Sequence, residues 1–150
     1  MLIRRAVVQD AEAIAAIAES VRYREGDAIP AHGYLVFVGT PQEYATRLAD
    51  ISTSFVAELD GKVIAFLLSS FSSGNTATQI IDDEVQTRIF GEDALLIDQI
   101  GVSPDARGLG AGSLMLERTF SAAKPTRATA CIMHWPLRNE RSIGFFAGRC

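Results

Sequence analysis

The sequence predicts an α/β fold with a central mixed, twisted sheet flanked by helices. Three observations carry that prediction. Short apolar segments of strand length alternate with helix-period segments in the order β-α-α-β-β-α-β-α-β-α. A hairpin sits in the middle of that order, with Asp60-Gly61 as its turn. The stretch from Leu95 to Met133 then reads strand, turn, helix, strand, a crossover unit whose two strands pair in parallel or splay apart.

"LIRRAVV" supplies the first strand, and Asp10 stands where it can cap a helix whose apolar side is Ala11, Ile14, Ala15, Ile17 and Ala18. "VRYREGDAIPAHG" is a polar loop broken by Gly26, Pro30 and Gly33, and "YLVFV" after it is a short strand or a buried lid. Thr40-Pro41-Gln42-Glu43 opens the second helix: threonine caps, proline takes the first helical position and Glu43 completes a capping box. "SFVAELDGKVIAFLLSSF" is the hairpin. "TQIIDDEVQTRIFG" reads as a helix with an acidic side, and "ALLIDQIGV" as the fourth strand. A helix from about Gly108 to Ala123 is stopped by Pro125; "RATACIM" is the fifth strand, and Asn139 caps a short helix, "ERSIGFFAG".

The 150 residues correspond to one domain, assigned to 1–150. A net charge of −4 disfavours nucleic-acid binding, which needs a basic face. Two cysteines, Cys131 and Cys150, are too few for a disulfide framework and point to a reducing compartment. No secretory signal follows Arg4-Arg5, and no apolar run reaches the ~20 residues of a membrane span. A cytoplasmic protein with no membrane partner is expected, and no metal ligands are assigned.

The chemistry concentrates in "IGVSPDARGLGAGSLMLERTF". Three glycines, Gly108, Gly110 and Gly112, stand at a helix start, where each costs ~1 kcal/mol relative to alanine. A helix N-terminus leaves backbone N–H groups unpaired and carries partial positive charge. Bare glycines let a bulky anion reach those groups, and Arg107 adds a charged donor beside them. The alternative is a turn needed only for tight strand–helix packing. A P-loop is excluded because no Gly-Lys-Ser/Thr follows, and the dinucleotide fingerprint because Ser113 occupies the third glycine position.

The pattern Arg107-x-x-Gly110-x-Gly112, after a strand ending in "VSP", resembles the acetyl-CoA-binding motif of the GNAT acetyltransferase superfamily. "LIRRAVVQDAEAIAAIAE", "FVAELDGKVIAFLLSS" and "PLRNERSIGFF" resemble that family's opening strand and helix, its hairpin and its asparagine-led helix. The resemblance implies a sheet with a splayed strand pair and an N-acetyltransferase using acetyl-CoA and a primary amine, in a ternary complex. It assigns Arg107, Gly108, Leu109, Gly110, Ala111, Gly112 and Ser113 to the coenzyme pyrophosphate. It assigns Ile100, Gly101 and Val102 to main-chain pairing with the pantetheine arm, and Asn139 and Phe146 to its surroundings.

For the proton from the amine, two groups are weighed. Asp98, a carboxylate inside an apolar strand, is either a base or substrate residue or a structural hydrogen bonder. His134, at the end of the fifth strand, is either a base or simply a satisfied side chain. Many members carry Phe-Tyr in the last helix, the tyrosine serving as acid; here the pair is Phe145-Phe146, and Phe146 has no proton to give. The resemblance also implies further strands where this sequence stops at Cys150, so the expectation is either a shortened sequence or a last strand supplied otherwise, for example by a homodimer partner. The acceptor is a small-molecule amine or a peptide N-terminus. Asp82, Asp83 and Glu84 either draw a cationic amine or form a solvated face; Tyr23 and Tyr34 either line the acceptor pocket or pack. A catalytically silent acyl-CoA-binding or sensing module is the rival reading, and a purely structural interaction domain a third.

Overall fold

The computed structural model describes residues 1–28, 30–50, 53–71, 94–123, 127–130 and 139–147. Five strands, β1 (Leu2–Arg5), β2 (Phe55–Leu59), β3 (Lys62–Phe71), β4 (Ala94–Val102) and β5 (Arg127–Ala130), form one sheet in the order β1-β2-β3-β4-β5. The first four pair antiparallel, and β5 joins β4 in parallel, so the sheet is mixed as expected. The helices are α1 (Ala11–Ser20), α2 (Pro41–Asp50), α3 (Ala111–Ala123) and α4 (Glu140–Phe146).

Alternation along the strands divides the core between the two faces of the sheet. Val56, Phe66 and Leu68 pack with Ile14, Ile17 and Ala18 of α1 and with Tyr44 and Leu48 of α2. Phe55, Ala57, Leu67, Leu95 and Ile97 pack with Met115 and Leu116 of α3 and with Phe146 of α4. Helices therefore cover both faces.

The hairpin turn has Asp60 at φ 52° and Gly61 at φ 75°, the left-handed pair that a two-residue connection needs. The capping box before α2 is formed: Thr40 N–H donates to Glu43 Oε2 at 2.6 Å, and Glu43 N–H donates to Thr40 Oγ1 at 3.3 Å. That bond to the backbone holds the Glu43 carboxyl below its ordinary value.

Four local expectations need correction. Asp10 makes no side-chain cap on α1; both its oxygens take the fork of Arg4, at 2.7 and 2.8 Å, and Oδ2 also accepts from Val7 N–H. The charged fork is the stronger partner, and it ties β1 to the turn into α1. β1 ends at Arg5, ahead of a 3-10 turn over Val8–Asp10. "YLVFV" is not a strand: apart from one bridge between Arg22 and Leu35, it runs as an irregular strap, the lid alternative. Finally, α3 starts at Ala111 rather than Gly108, because Gly108 (φ +82°) and Gly110 (φ +78°) cannot be helical. The helix expected over "TQIIDDEVQTRIFG", with Asp82, Asp83 and Glu84, lies outside the described residues, as do His134, Cys131 and Cys150.

The feature that positions the site is an irregularity in β4. Leu68 pairs with Gln99 and Ser69 with Ile97, which leaves Asp98 as an extra residue in a β-bulge. Among the described residues, pairing of β4 with β5 runs from Ala94 to Ile97, the residue before the bulge. Beyond Ile97 β4 is bonded to β3 alone among the described residues.

Candidate functional site

A cleft of about 620 Å³ opens along the C-terminal half of β4. One wall is Asp98 to Val102, and the floor is the turn from Ala106 to Ser113. The strap from His32 to Phe37 and the α4 residues Asn139, Arg141, Ser142, Phe145 and Phe146 close the other sides. The cleft gathers Asp98, Ile100, Gly101, Val102, Arg107, Gly108, Gly110, Ala111, Gly112, Ser113, Asn139 and Phe146, nearly all the residues singled out from the sequence. Leu109 is the exception among the described residues assigned to the coenzyme: it is exposed and does not line the cleft. Its neighbours' left-handed turn carries it outward.

The three glycines are not equally constrained. A Cβ on Gly108 or Gly110 would meet nothing within 4 Å, so space is not the constraint; positive φ is. Gly112, inside the first turn of α3, would bring a Cβ within 3.4 Å of Phe145 Cζ and 3.5 Å of Ile100 Cδ1. Those are ordinary contact distances, so neither space nor backbone conformation demands glycine at 112, whereas the left-handed turn demands it at 108 and 110. The first-turn amides of α3 have no acceptor within the helix, and Arg107 makes no side-chain hydrogen bond or ion pair among the described residues. A cation and a set of free donors thus face one open side.

Gly101 is tighter still. A Cβ there would lie 2.5 Å from Phe66 Cε1, so β4 presses directly on the ring beneath it. Ile100 and Val102 are half-buried, packing against the core on the α3 side while lining the cleft, and Gly101 between them presents only main chain.

The bulge turns Asp98 and Gln99 toward the same helix, α2. Asp98 Oδ2 lies 3.4 Å from Arg47 Nη2 and accepts from Ser70 Oγ at 3.3 Å. Burial pushes the Asp98 carboxyl above its ordinary value, and Arg47 and Ser70 offset this only in part. Gln99 is buried; its Oε1 accepts from the Tyr44 hydroxyl at 3.0 Å and its Nε2 donates to Phe37 O at 2.9 Å. Burial likewise raises the Tyr44 hydroxyl. Neither Gln99 nor Arg47 stands out in the sequence, because strict alternation would put Gln99 on the opposite face from Asp98.

Asn139 caps α4, accepting from Ser142 N–H at 3.4 Å, and its Nδ2 donates to Tyr34 O at 2.9 Å. The cap therefore also ties the strap to α4. Phe146 is buried against the core and meets Phe145 edge-on at 5.0 Å. Tyr34 is buried and lines the cleft; the Tyr23 ring lies tilted against it, 5.2 Å between centroids, and does not line the cleft.

A sequence profile described as the acetyltransferase (GNAT) family matches residues 12–150. The chain belongs to the GNAT acetyltransferase family. Solved structures of this fold include diaminobutyrate acetyltransferase EctA from Paenibacillus lautus, in complex with L-2,4-diaminobutyric acid and coenzyme A. That match has a TM-score of 0.63 at 13% identity, over 97% of this chain and 70% of that one. The GphF GNAT-like decarboxylase in complex with isobutyryl-CoA matches with a TM-score of 0.63 at 19% identity, over 96% and 72% of the two chains. A ribosomal-protein-alanine N-acetyltransferase from Brucella melitensis biovar Abortus 2308 gives 0.59 at 15% identity, over 98% and 89%. At these identities the similarity is one of fold. No curated protein sequence matches the chain.

Proposed function

We propose that this GNAT-family chain is an N-acetyltransferase that moves the acetyl group of acetyl-CoA to a primary amine. The observation that carries the reading is the continuity of one cleft from the left-handed glycine turn along β4 to Asp98. The residues present suit the coenzyme. Arg107 and the amides from Gly108 to Ser113 hold the pyrophosphate, since anions seat on glycine-cleared helix starts. The main chain of Ile100 to Val102 satisfies the amide groups of the pantetheine arm, as an added strand would. Asn139 and Phe146 flank that arm. Acetyl-CoA supplies an acyl group activated as a thioester.

The acceptor enters from the Asp98 side. Asp98 anchors its ammonium and takes the proton that the nitrogen must lose before the new C–N bond can form. A raised carboxyl is a better base for that purpose than an ordinary one. With phenylalanine at 146, no side chain there protonates the leaving sulfur, so that proton comes from solvent. His134 is a second base in this reading, and an amine of a small molecule or of a peptide N-terminus is the acceptor.

Calorimetric titration with coenzyme A, followed by free-thiol release with an amine panel, tests this. Binding with thiol release supports the transferase, and Asp98→Asn is expected to lower kcat about 100-fold. The absent acid at Phe146 favours one alternative, a silent acyl-CoA-binding module. Coenzyme binding with no thiol release for any amine would establish it.

A further inference from the structure

The strap from Tyr34 to Gly39 is irregular backbone, yet it is fixed along its whole length. Leu35 N–H donates to Val21 O at 3.0 Å and Tyr23 N–H to Leu35 O at 2.8 Å. Asn139 holds Tyr34 O, Gln99 holds Phe37 O, and the Tyr44 hydroxyl accepts from Gly39 N–H at 3.3 Å while donating to Gln99. The outcome of this ordering is that the Phe37 ring is left 57% exposed. Six other large apolar side chains are exposed among the described residues, on β1, beside it or around α3, and none of them lines the cleft. Phe37 does.

The charge pattern of the cleft narrows what could cover that ring. Asp98 is the one acidic side chain among its described lining residues, against Arg107 and Arg141. One carboxylate matches one ammonium. A polyamine would bring a second positive charge against a described lining that holds no second anion and two cations. Gln99, next to Asp98 in the bulge, grips the Phe37 carbonyl, so the charge anchor and the exposed ring are set by consecutive residues of β4.

We propose that Phe37 determines acceptor specificity, and that the cleft takes a monoamine bearing an aliphatic or aromatic group beside its nitrogen, with the Phe37 ring as the wall for that group. The inference rests on the acyl-transfer reading above and adds the acceptor class to it. Because the strap is already ordered, covering the ring costs no further backbone ordering.

The test compares phenethylamine with spermidine in the thiol-release assay, for the native protein and for Phe37→Ala and Phe37→Leu. Phenethylamine is expected to be the better acceptor. Phe37→Ala should raise its KM about tenfold and leave the KM for acetyl-CoA unchanged, and Phe37→Leu should recover most of the loss. A native preference for spermidine, or an equal change for both amines in Phe37→Ala, overturns the proposal. If no amine is acetylated, the transferase reading fails, and calorimetry of phenethylamine on coenzyme-loaded protein decides the specificity separately. Binding weakened by Phe37→Ala supports the apolar wall; binding that is unchanged, or absent from the native protein, overturns it.

Discussion

Asp98 and Arg47 face each other across the β4–α2 contact at 3.4 Å, and the carboxyl is nevertheless raised above its ordinary value. Burial dominates because the bulge turns Asp98 in under α2, while a long contact to a guanidinium repays little of the lost hydration. A carboxyl raised in the fold keeps its proton longer in the native state than in the unfolded chain. Its contribution is most favourable below the unfolded value, about 3.9, and becomes unfavourable as pH rises through the folded value. Asp98→Asn removes that dependence. In urea denaturation from about pH 4 to about pH 8, the variant should gain on the native protein as pH rises. A constant difference would mean that burial does not govern Asp98.

Asp10 has the opposite sign. Burial alone would raise its carboxyl, but the Arg4 fork and the Val7 amide outweigh it and hold it below its ordinary value. The resulting stability is complete above the unfolded value and is lost as pH falls through the folded one. Asp10→Ala is expected to cost about 2 kcal/mol near neutral pH, since it leaves a charged donor and a backbone N–H without their acceptor. Partial exposure of Arg4 keeps the figure from being larger. The gap between variant and native protein should close in acid, which denaturation at about pH 3 would check.

Two glycine substitutions separate conformational from steric necessity. Gly110→Ala forces a Cβ into a left-handed residue with open space around it, costing about 1 kcal/mol. Gly101→Ala places a Cβ against the Phe66 ring and should cost about 1–3 kcal/mol. Trimming the ring with Phe66→Leu should recover part of the Gly101→Ala loss and none of the Gly110→Ala loss. Thermal denaturation of the singles and doubles reads this directly. Coenzyme affinity offers a second axis. Arg107→Gln should weaken coenzyme A about tenfold and flatten its salt dependence, because one charge-assisted contact is lost while the turn is kept.

The strands, the hairpin turn and the α2 capping box were legible because each rests on local chemistry. Short apolar runs, Asp60-Gly61 and Thr40 with Glu43 act within a few residues of themselves. Most of the candidate site was legible too, since the turn from Arg107 to Ser113 is one contiguous motif. What the sequence hid depends on register. The bulge at Asp98 adds one residue to β4 with no local composition to announce it, and only afterwards do Asp98 and Gln99 share a face. Arg47, Tyr44 and Phe37 enter the site through that shift. Asp10 was misassigned as a cap because its stronger partner, Arg4, is supplied by the neighbouring strand and not by the helix itself.

Asn139 joins two functions that substitution can separate. Its Oδ1 caps α4 through Ser142 N–H, while its Nδ2 holds the Tyr34 carbonyl of the strap. Asn139→Ala loses both and should cost about 2 kcal/mol. Asn139→Ser keeps an oxygen able to cap and should recover about 1 kcal/mol, but its shorter side chain leaves Tyr34 O unheld. Hydrogen exchange distinguishes them: the Ser142 amide should regain protection in the serine variant, whereas the Leu35 amide, bonded to Val21 O in the strap, should exchange faster in both. Equal protection of Leu35 in the native and serine proteins would show that the strap is held without Asn139. In that case Gln99 and Tyr44 alone would fix Phe37 in the cleft, and the strap would be anchored from β4 rather than from α4.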